Sequence, residues 1–348
     1  MAVLQKSARH RKIETLLRIL FVLLVAAHVV ALTTHFFLAY TKVFQVQRIP
    51  EDQRRFHIAE GAHLNSVLEE LQRRKLAPAP FYVRLALMRH DPDLVIKKGN
   101  YRFPEEASTW DLIQQFGDGH VLLEKITIPE GLDHWEVARL LGESRWGTEA
   151  QFQALIDDPT PIRALDGDAT NLEGYLFPET YFFPEEATPE QIVGTMVRHF
   201  VTRTESLRAR LPAAGMTVRE WVALASLVEK ESAIPQERNR IAGVFSNRLK
   251  RGMLLQCDPT IIYSLKLNNQ YRGKIYRSQI RHDHPYNTYV YKGLPPGPIA
   301  SPGLQSLTAA LEPESHGFYY FVARNDGTHQ FSKNLREHNR AVRRYRRP

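Results

Sequence analysis

Residues 221–258 read WVALASLVEKESAIPQERNRIAGVFSNRLKRGMLLQCD. The stretch parses as a helix, a proline break, a second helix and a short extended arm. Trp221, Leu224, Leu227 and Val228 recur at helical spacing. At ~100° per residue, Glu231 lies roughly 50° from the centre of that apolar stripe and Glu229 roughly 110° away, with Lys230 on the opposite side. Glu231 is therefore expected to continue the buried stripe while its two neighbours face outward. A carboxyl group at the edge of an apolar face is desolvated, which raises its pKa and lets it hold a proton near neutral pH. The competing reading is an amphipathic helix whose last turn frays, leaving Glu229-Lys230-Glu231 as a solvated charged end.

Past the break, Pro235 fits the first turn of the second helix, which puts Glu237 in that turn as well. Ile241, Val244, Phe245, Arg248 and Leu249 supply its buried stripe, and Gly252 ends it. Leu254 to Cys257 is extended. Asp258-Pro259 reads as an N-cap followed by proline at the first helical position, opening a helix from Thr260 to Leu265.

Outward from this centre, 348 residues suffice for two domains. A net charge of +8 suits an anionic polymer or a membrane surface. No RNP, zinc-finger or heptad pattern points to nucleic acid, and none is expected as a partner. The single cysteine, Cys257, excludes an internal disulfide and a cysteine-based zinc cage, so no metal or cofactor is expected. Lys6, Arg9, Arg11, Lys12 and Arg18 precede an uncharged apolar run from Ile19 to Tyr40, long enough for one membrane span. A cleaved signal peptide has a shorter apolar core, so an uncleaved anchor is expected, with residues 1–18 as a cytoplasmic basic tail.

Residues 43–126 read as a small α+β module: a strand at Phe56–Ile58, helices at Leu64–Leu76 and Phe81–Arg89, a strand around Lys98–Phe103, a helix at Thr109–Phe116 and a strand at Leu122–Ile128. Beyond a turn at Pro129–Gly131, a helix runs from Asp133 to Leu141, with polar connections to Asp168. The stretch LEGYLFPETY, residues 172–181, combines aromatics with Glu173 and Glu179, which suits either a sugar-binding cleft or a core-facing strand. The loop at residues 293–303 is rich in proline and glycine. Ser301-Pro302 opens a helix, Asn325–Gly327 joins two strands, and a basic helix from Asn334 to Arg346 closes the chain.

LEGYLFPETY, LASLVEKES, ER, NRL, LQCDPT, YNTY and GLPPGPIASPG, in this order and spacing, resemble the YceG-like endolytic murein transglycosylases, the MltG family of bacterial cell-wall enzymes. The resemblance implies an α+β fold: a transmembrane helix at residues 19–40, a LysM-like module at 43–126 and a larger mixed catalytic domain at 127–348. It also implies cleavage within peptidoglycan glycan strands between N-acetylmuramic acid and N-acetylglucosamine, leaving 1,6-anhydro ends and terminating nascent strands. The family's catalytic glutamate maps to Glu231, the residue the helical wheel also selects. Glu237, Gln256, Asp258, Tyr286, Asn287 and Tyr289 are expected to line the substrate cleft, Asn287 holding N-acetyl groups. Cys257 departs from the small hydroxyl residue more usual in LQxDPT. Expected partners are glycan strands, the inner membrane reached through the N-terminal helix, and cell-wall synthases. A muramidase with Glu237 or Asp258 as base and a non-catalytic wall-binding scaffold remain as alternatives.

Overall fold

The computed structural model describes residues 2–119, 121–232 and 234–345, which fall into two compact units, 1–123 and 124–348. The first unit begins with α1 (Ala2–Thr41), whose segment Thr15–Thr41 is apolar enough to cross a membrane. Its large apolar side chains from Leu16 to Leu38 stay largely exposed. There follow β1 (Gln47–Arg48), β2 (Arg55–Ile58), α2 (Leu64–Arg73), α3 (Pro80–His90), β3 (Gly99–Arg102), β4 (Glu106–Ala107) and α4 (Thr109–Asp118). Strands β1 and β4 pair antiparallel, as do β2 and β3 with Arg55 opposite Arg102. Phe56, Leu68, Leu71, Tyr101, Phe103 and Phe116 form this unit's own core. Ser108 and Asp111 make a reciprocal capping box that starts α4.

The second unit takes in β5 (Leu123–Thr127) from its second residue on, followed by α5 (His134–Gly142) and α6 (Glu149–Ile156). The polar connection expected before Asp168 is thus interrupted by a helix, which Thr148 and Gln151 start with a capping box. Then come β6 (Thr180–Pro184), paired with β5, and the helices α7 (Pro189–Arg203), α8 (Glu205–Arg208) and α9 (Leu211–Ala214). The centre follows: α10 (Val218–Glu231), a 3-10 turn at Pro235–Glu237, α11 (Arg238–Lys250) and α12 (Asp258–Leu267). Helix α13 (Leu304–Leu311), the hairpin β7 (Tyr320–Ala323) and β8 (His329–Ser332), and α14 (Leu335–Tyr345) complete it. Arg346, included in the expected last helix, lies outside the described residues.

Helix α10 is the unit's axis. Every residue from Trp221 to Val228 is buried, the small ones included. Between its first and last turns the helix therefore presents no solvated face. Burying Trp221 alone is worth about 3 kcal/mol, and its indole N–H donates to the Leu307 carbonyl at 2.8 Å. Thr217 and Glu220 close the N-terminal capping box.

Two motifs pack on this axis. The proline- and glycine-rich loop is tied down by Ile299 N–H donating to Ser226 Oγ at 3.1 Å and Gly303 N–H donating to Glu229 Oε2 at 3.0 Å. The LEGYLFPETY stretch is core, not cleft: Leu172, Tyr175, Leu176, Phe177 and Tyr181 are all buried in the main cluster. At Gly174, φ is +82°, and an added Cβ would sit 2.6 Å from Pro298 and 2.8 Å from Val222. Only glycine fits a left-handed position pressed between a loop and a helix.

Candidate active site

Glu231 ends α10, at the point where the buried helix meets a cleft of about 570 Å³. Lys230, Glu231 and the arm Leu255–Pro259 line the cleft. Tyr320, Phe321 and Val322 of β7 with Leu335, His338, Asn339 and Val342 of α14 also line it. All of these residues come from the second unit.

Two residues, Arg248 and Thr288, hold the arm at Glu231. The Arg248 guanidinium of α11 donates to the Tyr319 and Leu255 carbonyls, each at 2.6 Å, and to that of Leu254 at 3.3 Å. Thr288 takes the other edge: its carbonyl accepts from Gln256 N–H at 3.1 Å and its Oγ from Cys257 N–H at 3.0 Å. Gln256 bridges these anchors at φ +51°, a left-handed conformation costing about 1–3 kcal/mol for a non-glycine residue. Leu255 and Cys257 are buried while Gln256 between them stands exposed in the cleft.

The carboxyl of Glu231 accepts a hydrogen bond from the Cys257 thiol, Sγ to Oε1, at 3.1 Å. Burial is the largest influence on it and raises its pKa. The Cys257 contact pulls the other way, the Asp258 charge pushes up, and His329 and Arg248 pull down; the net direction is upward. This is the environment of a carboxylic acid that keeps a proton to donate.

Glu229 does not face outward. Its side chain is 6% exposed and bonds to Arg238 Nη2 at 3.0 Å, beneath Glu130 and Gln305, which hold the same guanidinium. An α10 buried on every side carries Glu229 into the interior, and an ion pair compensates it. Asp258 is not a cap. It is the first residue of α12 after Cys257, and its carboxylate accepts from the Tyr289 hydroxyl at 2.5 Å instead of from its own backbone.

Of the other sequence candidates, Gln256, Asp258 and Tyr289 line the cleft with Glu231. Glu237 points away to His329, accepting from Nδ1 at 2.7 Å and from the backbone N–H at 3.2 Å. The charges that act most on Glu231 are those of Asp258, His329 and Arg248. Tyr286 packs on the Tyr263 ring, centroids 4.9 Å apart, against the core. Asn287 is fully buried; its amide donates to the Ile280 and His282 carbonyls and its oxygen accepts from Tyr289 N–H, so it shapes the loop that presents Tyr289. Sequence reasoning missed Arg248 as an anchor, Thr288, and the whole wall from β7 and α14. Arg248 carried a signal: an arginine on a buried stripe needs acceptors.

The YceG-like family model matches residues 56–344. The chain belongs to the YceG-like family. It is 35% identical over 236 residues to the endolytic murein transglycosylase of Bacillus subtilis, covering 64% of this chain and 65% of that one. It is 32% identical over 283 residues to the Streptococcus pneumoniae (strain D39) protein of the same name, covering 71% of this chain and 50% of that one. The chain thus spans between half and two thirds of the length of these relatives. A crystal structure of the yceG-like protein lmo1499 from Listeria monocytogenes superimposes with a TM-score of 0.58 at 29% identity, covering 86% of this chain and 99% of that one.

Proposed function

We propose that this YceG-like protein is an endolytic murein transglycosylase that cleaves N-acetylmuramic acid–N-acetylglucosamine bonds inside peptidoglycan strands, with Glu231 as the catalytic acid and base. The observation that carries the reading is one desolvated carboxyl, raised in pKa, at the floor of an open cleft. The printed names of the B. subtilis and S. pneumoniae relatives support the substrate class.

The arrangement suits an intramolecular displacement. Protonated Glu231 gives its proton to the glycosidic oxygen as the C1–O bond breaks. The C6 hydroxyl of the muramic acid attacks C1, closing a 1,6-anhydro ring, and its proton passes to the Glu231 carboxylate. The acid is thereby restored and no water is consumed. The nucleophile is tethered to the reacting sugar, so its attack has the advantage of proximity and needs no second carboxylate to orient water. Gln256, Asp258 and Tyr289 are placed to meet sugar hydroxyls. Residues 127–348 carry the chemistry, and residues 43–126 serve as a LysM-like grip on glycan. The helix Thr15–Thr41 anchors the protein in the inner membrane with its N-terminus cytoplasmic and the cleft on the wall side. This places the cleft where strands emerge from synthases, so that cleavage ends their growth.

The test is mass spectrometry of purified glycan strands after incubation with the full chain in detergent. Wild type is expected to release 1,6-anhydro fragments and Glu231→Gln to lose at least about 10²-fold in rate. Undiminished cleavage by Glu231→Gln, or products ending mainly in free reducing sugars, would refute the reading. Alkaline washing is expected to leave the chain in the membrane fraction; a mature soluble form beginning near residues 28–40 would refute the anchor.

A further inference from the structure

Among the described residues, Cys257 is the hydrogen-bond partner of the Glu231 carboxyl, with Sγ 3.1 Å from Oε1. The thiol is 1% exposed and is the chain's one cysteine. The bonds that place it do not use the sulfur. Its N–H donates to Thr288 Oγ at 3.0 Å, its carbonyl accepts from Thr260 Oγ at 2.7 Å, and the neighbouring Leu255 carbonyl accepts from Arg248 at 2.6 Å. With the backbone fixed on both sides, Sγ is aimed at one oxygen of Glu231.

We propose that Cys257 is a positioning residue for the acid: its S–H holds Oε1 as an acceptor, so that the transferable proton resides on Oε2. This rests on the reading of Glu231 as the acid. A carboxylic acid carries its proton on one of two oxygens, and a donor bound to one leaves the proton to the other. Burial, and then the Glu231 charge, push the Cys257 thiol well above its ordinary range, so the S–H persists through neutral pH. Once Oε2 has given its proton to the glycosidic oxygen, the S–H still holds Oε1 and shares its charge. Oε2 is then the oxygen that accepts the C6 proton. The thiol itself transfers nothing. A thiol is also a weaker donor than a hydroxyl, so it orients Glu231 while lowering its pKa less than a hydroxyl would. The other charged or titratable groups around Glu231 include Asp258, Arg248 and His329, together with Lys230, Tyr289 and His338 of the cleft lining, and none of them is altered in the test.

The first measurement is the Raman S–H stretching band of the full-length protein in detergent, followed with pH; with a single cysteine, the band reports Cys257 alone. It should move to lower frequency as pH rises and Glu231 ionises, because a carboxylate is the stronger acceptor. In Glu231→Gln it should stay fixed. The second is the pH–rate profile for anhydro-product release. Cys257→Ala removes the donor, so its basic limb should move up in pH, with kcat down about tenfold and KM unchanged. Cys257→Ser supplies a stronger donor, so its limb should move down with kcat largely kept. Opposite displacements are not what a packing defect would give. A wild-type band that ignores pH, or limbs displaced in the same direction or not at all in both variants, overturns the proposal. Full cleavage by Glu231→Gln would instead overturn the acid assignment, and the band would still report whether the thiol holds that carboxyl.

Discussion

The Tyr289 hydroxyl donates to the Asp258 carboxylate at 2.5 Å, and Asp258 is the carboxylate whose charge raises the pKa of Glu231. Glu237, the other acid that the sequence offered as a possible base, does not take that place. The 3-10 turn at Pro235–Glu237 sends that side chain to His329 instead. Asp258→Asn removes the negative charge and should lower the Glu231 pKa. The first step needs protonated Glu231, so activity is present below that pKa and lost as pH rises through it. The basic limb of the pH–rate profile should therefore move down by on the order of one unit, with anhydro product still formed. Loss of activity at every pH, together with products bearing free reducing ends, would make Asp258 the base of a hydrolase.

Glu229 and Arg238 form an ion pair with side chains 6% and 10% exposed. Glu229→Ala leaves Arg238 with Glu130 and Gln305 but removes its most buried partner and the acceptor of Gly303 N–H, and should cost about 2–3 kcal/mol of unfolding free energy. Chemical denaturation of the second unit's signal would measure it. The activity that remains per folded molecule should approach wild type, in contrast to Glu231→Gln. A loss of specific activity as deep as that of Glu231→Gln in fully folded Glu229→Ala would move the catalytic assignment.

The helix–break–helix–arm plan was legible because its signals are local: apolar spacing on α10, Pro235 at the break, Gly252 past α11. The place of Glu231 at the edge of the buried stripe was legible for the same reason. Glu229 was not, because a helical wheel assumes one buried face, and α10 is covered on all sides by elements distant in sequence. Asp258 was misread through a local rule. Asp-Pro fits a cap and first turn, but the Tyr289 hydroxyl, 31 residues on, takes the carboxylate. The aromatic run at residues 172–181 left a sugar-binding cleft and a core-facing strand both open, and only the fold shows that it packs against the loop at 293–303 and α10. Helix α14 carried no local mark of its place in the cleft wall.

Gly174→Ala tests that packing. The left-handed φ of +82° disfavours alanine, and the new Cβ would lie 2.6 Å from the rigid ring of Pro298. A loss of about 3 kcal/mol or more in stability is expected, read as a lower thermal midpoint. Because Pro298 adjoins Ile299, whose N–H is held by Ser226, the loop should also loosen, with faster proteolysis within residues 293–303. An unchanged midpoint would mean that the contact is easily relieved.

The last prediction concerns the cleft wall that sequence reasoning missed. Leu335, His338, Asn339 and Val342 lie at helical spacing on α14, and all four line the cleft that holds Glu231. Asn339 is exposed and carries both an amide donor and an acceptor, which suits the hydroxyls and N-acetyl groups of a glycan strand. It lines the cleft on a different element from the acid, and its contacts are expected to be made equally in the ground and transition states. Asn339→Ala should therefore raise KM about three- to tenfold and leave kcat near wild type. The basic limb of the pH profile should not move, since Asn339 brings no charge to Glu231. Arg336, on the same helix but outside the cleft lining, is the control, and Arg336→Ala should leave KM unchanged. A fall in kcat with unchanged KM in Asn339→Ala would place that residue with the reacting atoms, and unchanged kinetics in Asn339→Ala would remove α14 from the substrate path.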